Sequence, residues 1–132
     1  MIPAMAGSDD MTQIGREQGK FKYSAALGKK ALLIIVSKQD FGKSLVIDRP
    51  RVVLGRQSDC DLVIADPLLS RRHCEVTVDD GGDYFLEDLN STNSTALNSR
   101  KLAERTRLQF GDRIVIGTTI LRFYLEEELD KK

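Results

Sequence analysis

The sequence has little of what several functional classes require. It contains one histidine and two cysteines in 132 residues. A small secreted domain stapled by disulfides carries more cysteine than this, so Cys60 and Cys74 read as reduced thiols and the compartment as cytoplasmic. A zinc site needs ligands at paired spacing, which Cys60, Cys74 and His73 lack; no metal and no cofactor is expected. No nucleophile stands in a motif that supplies it with a base, so this domain does not read as an enzyme. Net charge is also missing, because 20 Lys and Arg balance 20 Asp and Glu. That balance argues against non-specific nucleic-acid binding, which depends on many phosphate-neutralising cations. No apolar run approaches the ~20 residues of a membrane span. Residues 1–10 lack the basic start and apolar middle of a signal peptide. What remains is an ordinary globular balance, 41% hydrophobic and 30% charged, in a chain long enough for one domain with a real core.

The texture of the chain divides it in three. Residues 1–30 are rich in Gly, Lys, Gln, Ser and Ala without sustained periodicity, and are expected to form a flexible N-terminal tail. At Ala31 a short apolar, β-branched run begins, which reads as a strand covered on both faces. Further strands are expected over residues 44–47, 51–54, 62–64, 73–78, 83–88, 106–108, 113–116 and 118–125. Turn signals separate them, among them Phe41-Gly42-Lys43, Asp79-Asp80-Gly81-Gly82 and Gly111-Asp112. No amphipathic helix interrupts the series, so residues 31–125 are expected to be an all-β sandwich. Residues 126–132 are strong helix formers, with Glu127–Lys131 and Glu128–Lys132 at supporting spacing. They read as the start of a C-terminal linker helix.

The chemistry sits in the loops. Gly55-Arg56 ends one strand, Ser70-Arg71-Arg72-His73 precedes another, and Ser91-Thr92-Asn93 lies in the polar stretch 90–95, with Asn98 shortly after. Arginine offers a planar fork of donors that suits phosphate. Ser70 and Thr92 add hydroxyls, and Asn93 adds an amide. A lone histidine opening a strand reads as a hydrogen-bonder that ties loops together. A β-scaffold presenting these groups on successive loops can bind an anion with hydrogen-bonding oxygens, and the obvious one is a phosphate carried on another polypeptide.

The order and spacing of these groups resemble the forkhead-associated (FHA) domain. Gly55-Arg56, then Leu69-Ser70-Arg71-Arg72-His73, then Leu89-Asn90-Ser91-Thr92-Asn93-Ser94-Thr95, then Asn98 and Leu108-Gln109-Phe110-Gly111-Asp112-Arg113-Ile114 follow the family's register. The likeness covers roughly residues 31–125. It implies an eleven-stranded β-sandwich that binds phosphothreonine peptides at one loop end. Arg56 and Ser70 would contact the phosphate, Arg71 would add positive charge, and Thr92 would donate a hydroxyl. Asn93 would hold the peptide main chain, Asn98 would brace or touch the loops, and Gly55 and His73 would be architectural. Ser94 stands where the family usually has Gly. Such domains are found fused to signalling outputs such as diguanylate cyclases and in kinase-linked systems, which implies a Ser/Thr kinase and a phosphorylated protein as partners. Thr12, preceded by Asp9-Asp10, is the one threonine ahead of the sandwich and a candidate phosphosite that could reach the loops itself. An FHA-like interaction or dimerisation module that has lost phosphate binding is the alternative.

Overall fold

The computed structural model describes residues 2–3, 7–10 and 30–126. In the 30–126 segment the chain forms eleven strands. They are β1 (Ala31–Ile35), β2 (Ser44–Ile47), β3 (Arg51–Gly55), β4 (Leu62–Val63), β5 (Cys74–Val78), β6 (Tyr84–Asp88), β7 (Thr95–Leu97), β8 (Arg100–Lys101), β9 (Thr106–Arg107), β10 (Arg113–Ile116) and β11 (Thr119–Leu125). One sheet has the order β8-β7-β10-β11-β1-β2 and the other β9-β6-β5-β3-β4. Pairings within the sandwich are antiparallel, except β3 with β4. The expected all-β sandwich is the fold observed.

Alternation along the strands builds the core. Leu33 and Ile35 from β1, Val52 and Leu54 from β3, Val76, Leu86, Ile114, Ile116, Leu121 and Phe123 all point between the sheets and are fully buried. Each such side chain contributes roughly 1.5–3 kcal/mol of transfer free energy. The Tyr84 and Phe123 rings meet across the core at 5.5 Å and 58°. The first strand departs from expectation. Ala31, Leu33 and Ile35 are buried, but Leu32 and Ile34 are only half-buried. On that outer face Leu32 lies beside Tyr124 and Val46 of the same sheet.

The sequence reading also missed the β7–β8 hairpin, which falls in and just after the stretch read as a polar loop. Leu97 pairs with Arg100, and the two residues between them, Asn98 and Ser99, have φ of 51° and 73°. Two successive left-handed residues define the turn whose twist matches paired strands. The usual Asn-Gly signal is absent because Ser takes the second position.

The two ends of the sandwich chain meet. Glu126 N donates to Lys30 O at 2.8 Å, and Lys30 N donates to the Glu126 carboxylate at 3.2 Å. They lie at the Leu125 end of the β1–β11 pair, one strand length from Thr119. Of residues 126–132, read as the start of a linker helix, Glu126 is described and 127–132 lie outside the described residues, as does Thr12. Within the expected tail, Ile2–Pro3 and Gly7–Asp10 pair as short parallel strands. Among the described residues no helix is long and apolar enough to cross a membrane.

Candidate functional site

The site begins with a close approach of two backbones. A Cβ built on Gly55 would lie 2.2 Å from Arg71 O, 2.9 Å from its carbonyl carbon and 3.0 Å from Arg72 Cα. Only glycine lets the 70–73 segment lie against the end of β3. Arg56 N then donates to Ser70 O at 3.2 Å, Gln57 N to Arg71 O at 3.1 Å, and His73 N to Leu54 O at 2.9 Å. Arg56 is exposed. Its Nε donates to Leu69 O at 2.9 Å, which fixes the stem. Its two η nitrogens are without a partner among the described residues.

His73 is fully buried and couples two loops. Its Nδ1 accepts a hydrogen bond from Ser70 N at 3.1 Å. Nε2 must therefore carry the ring proton, and it donates to Ser94 O at 2.7 Å. This neutral tautomer is assigned from the network. Both ring nitrogens are thereby engaged in ties between the 70–73 and 90–95 loops. No group of three metal-ligating side chains gathers among the described residues.

The second loop is held from beneath by Asp88. Its carboxylate accepts from Ser91 N at 3.0 Å, from Ser91 Oγ, and from Thr95 Oγ1 at 2.6 Å. Burial pushes this carboxyl up, but the Ser91 and Thr95 hydrogen bonds prevail and hold it below the usual range. Ser94 has φ 68°, so the turn that the family makes with glycine is made here with serine, at a strain of about 1 kcal/mol.

The two loops meet at Ser70. Thr92 N donates to Ser70 Oγ at 3.0 Å. The Ser70 hydroxyl is thus fixed as an acceptor, and no described residue accepts its own hydrogen. Asn93 Nδ2 donates to Leu68 O at 2.8 Å, and its second amide hydrogen and Oδ1 have no partner among the described residues. Thr92 is exposed, and no described residue bonds its hydroxyl. Arg71 is also exposed, with its guanidinium unpaired among the described residues. Arg72 differs, since its guanidinium is 2.7 Å from Asp59. The structure therefore brings together Arg56, Ser70, Arg71, Thr92 and Asn93. It does not bring Asn98 to them. Asn98 Nδ2 donates to Asp112 at 2.9 Å and its Oδ1 accepts from Arg113 N at 3.0 Å, so it braces the β7–β8 turn against the start of β10.

Sequence reasoning overlooked Asp66. This carboxylate is 3% exposed. One oxygen accepts from Leu68 N at 3.0 Å. The other accepts from Thr118 N at 2.8 Å and from the Thr118 and Thr119 hydroxyls, each at 2.9 Å. Burial raises its pKa, and these four hydrogen bonds more than offset the rise, leaving it below the usual value. Asp66 thus anchors the Leu68–Ser70 loop to the opposite sheet. The available signal was Asp66-Pro67 itself, since Asp readily bonds the backbone two residues on.

The molecule is therefore a β-sandwich that presents hydroxyls, an amide and two guanidiniums without partners among the described residues on adjoining loops. Residues 52–117 match the FHA domain, and the chain belongs to that family, whose domains are non-catalytic interaction modules dependent on phosphothreonine. It is 33% identical over 93 residues to the glycogen accumulation regulator GarA of Mycolicibacterium smegmatis, covering 70% of this chain and 58% of that protein. It is similarly 33% identical over 93 residues to the oxoglutarate dehydrogenase inhibitor of Corynebacterium efficiens, covering 70% and 64%. The chain spans about three-fifths of the length of these curated relatives. Among solved structures, Mycobacterium tuberculosis EmbR in complex with a low-affinity phosphopeptide superposes with a TM-score of 0.65 at 25% identity, covering 72% of this chain and 24% of that one.

Proposed function

We propose that this chain recognises phosphothreonine in a partner protein through Arg56, Ser70, Thr92 and Asn93, with Arg71 adding positive charge. The observation that carries the reading is the Ser70 hydroxyl, held by Thr92 N on a segment whose carbonyls at Leu69 and Ser70 bond the Arg56 side chain and backbone. The η nitrogens of Arg56 fork two phosphate oxygens, and the Ser70 and Thr92 hydroxyls donate to the oxygens that remain. Asn93, with an amide hydrogen and Oδ1 to spare, holds the peptide main chain. Three or four charge-assisted bonds of about 1.5–3 kcal/mol each, less ordering costs, correspond to roughly micromolar binding, about −8 kcal/mol. Burying the threonine γ-methyl on binding would add about 1 kcal/mol over serine.

The context follows from the same site. A cytoplasmic Ser/Thr kinase creates the ligand, and binding regulates an output domain fused after the 126–132 linker, a diguanylate cyclase being one type. The chain's own Thr12 is a second source of ligand. About 18 residues separate it from Lys30, and a coil of that length spans roughly 25 Å. The seven residues of β11, which separate Lys30's end of the sandwich from the loops, cover about 23 Å.

Fluorescence anisotropy with matched phosphothreonine and threonine peptides tests the reading. Binding should require the phosphate and weaken at least tenfold in Arg56→Ala. Equal binding of both peptides would overturn it in favour of an interaction module that ignores phosphate.

A further inference from the structure

Strand β8 is the last of its sheet, with β7 on one side and no strand among the described residues on the other. Leu102 N donates to Thr95 O at 2.8 Å, so Leu102 spends its N–H on β7. The hydrogen-bonding groups of successive residues on a strand point to opposite sides. The Lys101 N–H and C=O therefore point away from the sheet, and an edge of this kind can accept an added strand. Beside it lies an open cavity of about 470 Å³, where Leu97, Leu102 and Ala103 give apolar walls and Arg100, Lys101 and Glu104 supply charge. No residue assigned above to the phosphate lines it. Directly opposed residues share a face, so Arg100 stands with Leu97 on the core side and Lys101 with Ala96 on the outer side. Both cations are exposed and have no partner among the described residues. The two cations that follow are committed, since Arg105 lies 4.0 Å over the Phe85 ring and Arg107 pairs with Asp83 at 3.0 Å. Residues 100–107 hold these four cations and the one carboxylate of Glu104, in a chain with no net charge. Lysine on an edge strand guards against unwanted pairing. A guard needs charge alone, whereas a leucine-walled cavity beside the free edge gives an incoming side chain a place to go.

We propose that the β8 edge is a second docking site, which takes an extended, acidic segment of a partner protein as an added strand. The site goes beyond the phosphothreonine reading and does not depend on it. Main-chain bonds to Lys101 supply attachment, and side chains at alternate positions supply selectivity. An apolar residue of the segment enters the cavity against Leu97, Leu102 and Ala103. Its neighbour in sequence faces the outer side, where a carboxylate meets Lys101. The next residue returns to the core side, where a second carboxylate meets Arg100. Opposite charges placed across a strand pair stabilise it, and like charges oppose it, so a basic segment is refused.

Short unphosphorylated peptides test the inference on the full chain. One probe carries the apolar-acidic-acidic pattern in a β-branched host, a second has lysine in place of both acids, and a third has the first probe's composition with the order rearranged. Binding is read by fluorescence anisotropy and by amide NMR shifts. The acidic probe should bind about three- to thirtyfold more tightly than the lysine probe, as two exposed ion pairs allow, and should move the Lys101 amide. The double variant Arg100→Glu/Lys101→Glu should reverse the preference. Lys101→Pro removes the one outward N–H at a position where an edge strand tolerates proline, and should abolish binding of the acidic probe. Should that variant melt early, the reversal in the double variant decides, because both of its substitutions are on exposed side chains. A Lys101 amide that does not move, a preference that survives charge reversal, or equal binding of the rearranged probe overturns the inference. The last result would leave a basic patch that attracts any polyanion, nucleic acid included. Phosphothreonine binding and its loss in Arg56→Ala are expected to be the same in every β8 variant, so failure at one site is told apart from failure at the other.

Discussion

Replacing Gly55 by alanine should damage both stability and recognition. The added methyl would meet Arg71 O at 2.2 Å, with two more backbone atoms at 2.9 and 3.0 Å. Those neighbours are main chain, so no side chain can swing away. Restoring an ordinary contact requires the 70–73 segment to retreat by about 1 Å. The hydrogen bonds from Arg56 N and Gln57 N already measure 3.2 and 3.1 Å, and such a shift carries both beyond hydrogen-bonding range. Two lost backbone bonds cost about 1 kcal/mol each, and the overpacking itself costs about 1–3 kcal/mol. The net loss should be about 3–5 kcal/mol, against a typical domain stability of roughly 5–15 kcal/mol. Urea denaturation should show a lower midpoint at unchanged slope. The surviving folded fraction should bind a phosphothreonine peptide at least tenfold more weakly, because Ser70 moves relative to Arg56. Arg56→Ala is the contrasting variant, with affinity lost at a nearly constant midpoint. If Gly55→Ala kept its midpoint within about 0.5 kcal/mol, the value expected of an innocuous surface change, the close approach described here would be refuted.

Three other outcomes are expected. Ser94→Gly relieves a left-handed φ of 68° but frees the unfolded chain, so the variant should be between neutral and about 1 kcal/mol more stable by thermal melting. Asp66 and Asp88 are held below their unfolded value of 3.8. The stability they contribute is therefore complete above that value and is lost as the pH falls through the depressed folded values; acid titration of the urea midpoint should show this, with a shallower limb in Asp88→Asn. Burial pushes the Cys74 thiol up to about 12 and raises that of Cys60, so iodoacetamide should label neither until the domain unfolds, and Cys74 labelling of the native protein would contradict its burial.

Strand positions were legible because period-2 alternation and Gly or Asp turns are local signals, and most boundaries agree to within a residue or two. The β7–β8 hairpin was not legible, because its turn uses Asn98-Ser99 and its strands are only three and two residues long. The roster of loop residues was likewise readable, but their division of labour was not. Arg56, Arg71 and Arg72 look equivalent as letters. Which guanidinium is free depends on Asp59 reaching Arg72 across 13 positions. Asn93 and Asn98 both sit in the motif, yet one faces Leu68 and the other Asp112. The work of Asp66 depends on a turn more than 50 residues away, and no window of sequence holds both.

The clasp between Lys30 and Glu126 has an architectural consequence. Incoming and outgoing polypeptide share one doorway, at the pole away from Ser70. A host protein could carry this unit as an outgrowth of a single surface bend, with no gap to bridge on its own side. Neighbouring domains attached there would leave the opposite face open to visitors, and traction applied to both leads would load the β1–β11 seam as a peel and not pull the reading loops apart.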